Sequence, residues 1–357
     1  MTQKAIRFFV TMLIVAGILA ACAPATSTPT VQPTPTTTIP TMEVPTPTFQ
    51  PVHLKVGIYN YISYSPFFIA YEEGYFSEQG LDVELLDFGS QSNNYIPAIF
   101  SQQLDIGASS FGSSVFNAIS QGINVRYVAD KGFLNPNSCV TDAWVGSNIA
   151  LANGTLTDLA SLQGKKVVSI PGGTFEYALD LMLEEARLTQ DAIELSTISD
   201  SATRVQALGN NSIDIAPLSE PWITRAQTQN AGTVWKPLAE LMPNYSLGAL
   251  IYGPSIMDGD HEVGVRFMVA YLKAIQQFNQ GKTDRNVEII AKYTKLTPEE
   301  IKQACWTSFK PDAKIDSAGL MSFEQWTVDK GYVDAPLTVD QILDNEFVDA
   351  ANRILNP

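Results

Sequence analysis

Residues 54–88 read LKVGIYNYISYSPFFIAYEEGYFSEQGLDVELLDF. Leu54–Tyr59 alternates apolar and polar positions with β-branched and aromatic residues, a strand signal. Ser65-Pro66 then opens an apolar helix running to Phe76, with proline at a favoured first-turn position. Leu81–Phe88 (LDVELLDF) reads as a second strand. Strand, helix and strand in one short stretch predict a βαβ unit, and so an α/β fold.

Working outward, the same alternation continues. YIPAIFSQ (95–102) reads as a helix, LDIGAS (104–109) as a strand, SSVFNAISQG (113–122) as a helix closing at Gly122, and NVRYVAD (124–130) as a fourth strand. It restarts with strand KKVVSI (165–170), helix TFEYALDLMLEEARL (174–188) and strand AIELSTI (192–198). Helix RVQALGNNS (204–212), strand IDIAPL (213–218) and helix PWITRAQTQ (221–229) complete that second run. Strand SLGALIYG (246–253) and helix VGVRFMVAYLKAIQQFNQG (263–281) lead into a mostly helical tail. The pattern predicts two α/β units in tandem, each a parallel, doubly wound sheet flanked by helices. No fixed repeat of about 20 to 50 residues appears, which argues against a solenoid.

Composition narrows the function. The chain has 357 residues, 45% hydrophobic and 17% charged, enough for two lobes with separate cores. Its 37 acidic residues outnumber 22 basic ones, for a formal net charge of -15. That surface repels phosphate backbones, and no basic stripe offsets it, so nucleic-acid binding is excluded. Two histidines, His53 and His261, and three cysteines do not supply the usual ligand count of a His/Cys metal site.

The first residues carry a different message. Lys4 and Arg7 form a positive head, and Phe8–Ala21 is an uncharged core too short for a span of about 20 residues. Residues 1–21 therefore read as a signal peptide. The junction Leu19-Ala20-Ala21-Cys22 resembles the bacterial lipobox, in which the cysteine is lipidated after cleavage. An ordinary secreted protein with an incidental cysteine is the plainer alternative. Loss of Lys4 and Arg7 would move the net charge from -15 to -17. From Ala23 to Pro51 eight prolines and ten threonines leave no material for a core. Residues 22–52 thus read as a lipidated cysteine and an extended tether, reaching up to roughly 90 Å at about 3.1 Å per residue.

Ligands of doubly wound sheets bind at the carboxyl ends of strands, so the turns there are the candidates. Eight of the chain's aromatics fall between Tyr59 and Phe76. Phe67, Phe68, Tyr71 and Tyr75 lie at helical spacing and read as core. Tyr59, Tyr61 and Tyr64, with Asn60 and Ser65, crowd a strand-to-helix turn, where ligand contact and packing are both open. Phe88-Gly89-Ser90 follows the second strand, and Ser109-Ser110-Phe111 the third. Serine and glycine runs before a helix present hydroxyls and N–H groups, although a plain N-cap accounts for them equally. Gly172-Gly173-Thr174-Phe175 opens a long helix after KKVVSI and lets backbone approach a ligand, but lacks the P-loop lysine. Glu220 and Trp222 end the last strand of the second unit as a carboxylate and an indole. There Glu220 either faces a ligand or caps its own helix.

Four blocks together resemble the periplasmic binding proteins of the sulfonate, nitrate and thiamine-pyrimidine-precursor import group. They are the opening with GYFSEQGLDV, AIFSQQLDIGASSFGSSVFNAISQGINVRYVAD, LASLQGKKVVSIPGGTFEYALDLMLEEARL and SIDIAPLSEPW, over about residues 54 to 280. The resemblance implies a two-lobed type II binding-protein fold with the ligand clamped between lobes. Lobe 1 would take residues 53–141 and 247–357, and lobe 2 residues 142–246. The family's ligand-facing turns map onto Tyr59–Ser65, Phe88–Ser90, Ser109–Phe111, Gly172–Phe175 and Ser219–Trp222. The family's T-G-x-x-P element after the third strand is here SSFGSS, which loosens the assignment around Ser109.

A fungal branch of this fold looks similar and makes the thiamine pyrimidine, with an active-site histidine, a lysine bearing pyridoxal phosphate and a cysteine-rich iron-binding run. This chain lacks that run, and His53 and His261 lie outside the matching turns, so no enzyme and no cofactor is expected. The expected role is a lipid-anchored, extracytoplasmic, monomeric receptor serving separate ABC permease and ATPase subunits. Its solute would be small, with the aromatic turns and Glu220 leaning to a planar heterocycle such as a pyrimidine or flavin. Sulfonate, taurine or nitrate is the alternative, as is a sensing rather than transporting role. After Cys22, Cys139 and Cys305 remain; outside the cytoplasm two such thiols often pair, and the sequence leaves that bond open.

Overall fold

In a computed structural model, residues 50–88 and 95–356 are described. The positive head, Cys22, the tether as far as residue 49, and Gly89 and Ser90 lie outside them.

Two five-stranded sheets form the frame. The first contains β1 (Val52–Ile58), β2 (Leu81–Asp87), β3 (Ile106–Ser109), β4 (Arg126–Asp130) and β10 (Ala249–Tyr252), in the order β2-β1-β3-β10-β4. The second contains β5 (Asp142–Ser147), β6 (Lys166–Val168), β7 (Glu194–Ser196), β8 (Ile215–Ser219) and β9 (Gly232–Pro237), in the order β7-β6-β8-β5-β9. The two orders are equivalent, and helices flank both sheets. The α/β expectation holds, but the sheets are mixed rather than parallel. β1 pairs parallel with β2 and β3, whereas β10 runs antiparallel to β3 and β4. Likewise β6 is parallel to β7 and β8, and β5 is antiparallel to β8 and β9. The antiparallel strands are the ones beside the segments that carry the chain between sheets. A strand arriving from the other sheet, without its own crossover helix, is free to enter in the opposite direction.

Burial follows this layering. β5 is buried along its whole length, with Ala143 and Val145 in the smaller core beside Val168, Leu208, Ala216 and Leu218. Trp144, on its other face, joins the larger core. That core holds the turn after β1 through Tyr64, Phe67 and Phe68, and the 18-residue helix His261–Phe278 through Phe267 and Tyr271. No helix among the described residues is long and apolar enough to cross a membrane.

Residues 131–141 and 238–248 carry the chain between sheets. Phe133 bridges to Ser246 and to Ser308, which lays a third segment from the helical tail beside the two crossings. Cys139 and Cys305 are joined by a disulfide there, with Cα atoms 5.7 Å apart.

Candidate functional site

The carboxyl ends of β1 and β3 in the first sheet face the loops after β6 and β7 in the second. Between them lies a cavity of about 460 Å³. Tyr59, Tyr61 and Tyr64 line it from the turn after β1, and Ser109, Ser110 and Phe111 from the end of β3. Gly172, Gly173, Thr174 and Phe175 close it from the second sheet.

The walls also touch each other directly. Gly112 and Gly173 form an isolated antiparallel bridge, and Ser113 N donates to Gly172 O at 3.0 Å. Thr174 Oγ1 donates to Phe111 O at 3.4 Å, and the Tyr61 and Ser201 hydroxyls are 3.1 Å apart. Gly172 has φ of +71°, and a Cβ there would sit 2.4 Å from Ser113 Oγ. Glycine is therefore favoured by the left-handed backbone, and any larger residue would also have to displace the Ser113 hydroxyl.

The tyrosines serve as packing and wall at once. The Tyr59 ring packs on Tyr64 at 5.5 Å and on Tyr95 at 4.5 Å while still lining the cavity. The Tyr64 hydroxyl donates to Ala108 O, in the strand that delivers Ser109. Burial pushes the phenol pKa values of Tyr59, Tyr61 and Tyr64 up, so these hydroxyls stay neutral and act as donors or acceptors.

Five expected contacts point elsewhere. Asn60 Nδ2 donates to Tyr293 O at 2.7 Å and to Asp87 Oδ2 at 3.3 Å, tying its turn to the helical tail. Ser65 is fully buried, its hydroxyl donating to Ile62 O at 2.6 Å. Phe88 packs edge-on against Tyr95 at 5.1 Å. The Glu220 carboxylate, which the sequence left between ligand and cap, accepts from Thr224 N at 3.1 Å, Thr224 Oγ1 at 2.8 Å and Cys305 N at 3.2 Å. It caps its own helix and holds the tail, because a residue four positions on reaches back to it within one turn. Trp222 packs on the smaller core with the Arg225 guanidinium 4.8 Å over its ring. The aromatic slot therefore loses its expected indole and carboxylate, and Gly89 and Ser90 fall outside the described residues.

Other residues take their place. Ser63, Ser199, Ser201 and Ser219 bring hydroxyls, and Lys131, Asp142 and Arg204 bring charge. Arg204 is held by three carbonyls: Nε on Ile198 O at 2.7 Å, Nη1 on Pro217 O at 2.8 Å and Nη2 on Ser199 O at 2.8 Å. Lys131 follows β4, is 6% exposed, donates to Ser63 Oγ at 2.9 Å and lies 4.7 Å over the Tyr64 ring. Burial pulls its ammonium down to about 8, against the opposing pull of Asp142 and Asp130. Asp142 opens β5 and accepts from Ser219 Oγ at 2.5 Å; burial pushes its carboxyl up.

The Lys131 shift gives a stability prediction. Below about pH 8 the lysine is charged in both states, and well above it only the unfolded chain keeps the proton, up to 10.5. Stability should then rise with pH, because the unfolded state binds more protons, by about 1 kcal/mol per pH unit. The window closes near pH 10, where the unfolded chain's tyrosines ionise while buried ones do not, roughly at their ordinary value. Urea unfolding at stepped pH should show this rise in the native chain and not in Lys131→Met; parallel curves for the two would refute it.

Comparison with known proteins agrees with the architecture. The model of a family described as NMT1/THI5 like matches residues 62–280. No curated protein sequence matches the chain. The structure is similar to the periplasmic nitrate-binding protein NrtA from Synechocystis PCC 6803, at TM-score 0.70 and 15% identity over 85% of this chain and 89% of that one. It is similar to a putative sulfonate ABC transporter's periplasmic sulfonate-binding protein, SsuA from Methylobacillus flagellatus KT, at TM-score 0.65 and 16% identity over 86% of this chain and 96% of that one. A desulfurization enzyme, DszB, also shares the fold, at TM-score 0.59 and 14% identity over 85% of this chain and 99% of that one. Two binding proteins and an enzyme on one fold leave function to be argued from the site.

Proposed function

The chain belongs to the NMT1/THI5-like family, and from that premise we propose that it is the extracytoplasmic solute-binding component of an ABC importer. One observation carries this reading. A cavity of about 460 Å³ is walled by both sheets, with facing aromatic rings, serine hydroxyls and glycine backbone, and both chain crossings border it through Lys131, Leu238 and Leu247. That volume suits a small organic molecule. Residues 131–141 and 238–248 are the proposed hinge, so that lobe 1 (53–141 and 247–357) closes on lobe 2 (142–246) when a solute contacts both walls. The lipobox-like Leu19-Ala20-Ala21-Cys22 and the tether support anchorage of this receptor to a membrane through Cys22.

The solute proposed is a planar heterocycle of low net charge. Tyr59, Tyr61 and Phe175 offer flat apolar faces, and neither Glu220 nor Trp222 is needed. Nitrate or a sulfonate is the competing reading, favoured by the Ser109–Phe111 and Gly172–Thr174 loops and by what the NrtA and SsuA neighbours bind. Catalysis is disfavoured because His53 pairs with Asp82 on the surface and His261 stacks on Phe347, both outside the cavity.

Thermal-shift screening of the purified chain against pyrimidines, flavins, thiamine, alkanesulfonates, taurine and nitrate tests the proposal. A ligand of the folded state raises the melting temperature with its excess over Kd. A planar heterocycle should do so, and Tyr61→Ala should weaken it about tenfold, the loss of one well-packed aromatic contact. Stabilisation by nitrate or sulfonates alone would restore the anion reading, and turnover of any of these solutes would replace the receptor by an enzyme.

A further inference from the structure

Of the three charged residues that line the cavity among the described residues, Arg204 spends three of its five N–H donors on the carbonyls of Ile198, Ser199 and Pro217, which fixes its guanidinium in place. Lys131 and Asp142 keep capacity for a solute. An ammonium has three N–H donors, and among the described residues Ser63 Oγ is the hydrogen-bond acceptor that Lys131 uses. A carboxylate accepts at both oxygens from several directions, and Asp142 meets the Ser219 hydroxyl at Oδ1 and the Thr141 side chain, which leaves acceptor directions open. Both side chains are more than nine-tenths buried, at 6% and 8% exposure. They come from opposite sheets, one after β4 and one opening β5, at the two ends of the first chain crossing. Each also feels the other's charge.

We propose that Lys131 and Asp142 together read a hydrogen-bond acceptor beside a donor on the solute, and that the cleft therefore selects an uncharged planar molecule with a C=O next to an N–H, a lactam or ureide edge. The inference rests on the solute-binding reading and names its substrate class. A free oxyanion drawn to Lys131 would meet the Asp142 carboxylate, and a free cation drawn to Asp142 would meet the Lys131 ammonium. In a buried site either approach leaves one charge opposed and uncompensated. A neutral edge with C=O on Lys131 and N–H on Asp142 satisfies both at once. Selectivity then comes from repulsion of wrong partners as much as from attraction of the right one. The Tyr59, Tyr61 and Phe175 rings supply the flat walls such an edge brings with it.

The test is calorimetric titration of the purified full chain with uracil, lumazine, 1,3-dimethyluracil, taurine and nitrate. Uracil or lumazine should bind, and 1,3-dimethyluracil, the same ring with both N–H groups methylated, should bind at least about tenfold more weakly, as expected where buried polar groups lose their partner. Lys131→Met and Asp142→Asn should each cost the lactam at least about tenfold, with Lys131→Arg recovering part of the loss. Circular dichroism of each variant separates lost binding from lost folding. Equal binding of the dimethylated probe, or lactam binding unchanged in both variants while Tyr61→Ala abolishes it, overturns the inference and leaves the receptor standing. Preference for nitrate or taurine also overturns it. Failure of uracil and lumazine to bind the native chain overturns the inference, while the receptor reading stands or falls with the wider thermal-shift screen.

Discussion

Replacing both bridged cysteines, as Cys139→Ser with Cys305→Ser, is expected to lower stability by about 4 kcal/mol, near the upper part of the range for native disulfides. The bond spans 166 positions of sequence, so in the unfolded chain it closes a very long loop. Its removal frees that ensemble, while the cavity is left intact, because Cys139 is exposed, Cys305 is buried at the crossing, and neither lines the cavity. The melting temperature should fall by roughly 8 °C, at about 2 °C per kcal/mol for a domain of this size. Solute affinity should change less than about threefold, since the wall residues are untouched. Melting with and without reductant, on the native chain and the double variant, checks it. Reductant should lower the native chain to the variant's value and leave the variant unmoved. Identical melting of both proteins without reductant would show that the staple contributes nothing.

The bond also bears on how closure is built. Cys305 N donates to Glu220 Oε1 in the second sheet's unit, while Cys305 itself is tied to the first crossing segment. The tail is thereby fixed at the proposed hinge. Near the cavity the two walls are joined by the hydrogen bonds of Tyr61 with Ser201, Ser113 with Gly172 and Thr174 with Phe111, and the tail meets the second sheet's unit again where Tyr332 donates to Glu176 and Trp326 Nε1 to Asp180. Each such hydrogen bond contributes about 1 kcal/mol, so the proposed opening of the cleft has to break several of them together.

The order of strands and helices was legible because most strands are half-buried or follow a helix at regular spacing. β5 escaped that reading: DAWVGS is buried on both faces, so it shows no alternation to distinguish it from a loop. β9 (GTVWKP) was likewise invisible, with glycine and proline at its ends reading as turn. The turns that carry the cavity were legible where the chemistry is local, as in Tyr59–Tyr64 or Gly172–Phe175. Glu220 was not, because its choice between a ligand and Thr224 depends on where the strand end points. Lys131 and Asp142 were missed for a related reason. Each is a lone charge beside a strand, and only the crossing of the chain brings the two to one cavity. Arg204 lies on a helix whose inward side no periodicity marks as a site wall.

Tyr95→Phe is expected to destabilise the protein by about 3 kcal/mol, although it removes one oxygen and no packing volume, because it strands two buried backbone groups. β1 and β3 share the single paired position Val56–Ile106, and beyond it the strands diverge beneath the cavity. The Tyr95 hydroxyl fills that gap: it donates to Gly57 O at 2.8 Å and accepts from Ala108 N at 2.6 Å. The ring can lie on the sheet only because residues 57 and 107 are glycine. A Cβ on Gly57 would stand 2.5 Å from the Tyr95 ring, and one on Gly107 2.8 Å from its hydroxyl. Without the oxygen, Gly57 O and Ala108 N have no ladder partner and no water to turn to, since Tyr95 is fully buried. The consequence should reach the site. Ala108 also accepts from Tyr64 and leads directly into Ser109, Ser110 and Phe111, so slackening β3 loosens one whole wall. Urea unfolding should show the loss with an unchanged slope, and amide exchange at residues 106–111 should rise well above that of the distant strands β6 and β8. A variant as stable as the native chain would mean that the two strands close up to pair directly, and that the hydroxyl is not what holds them.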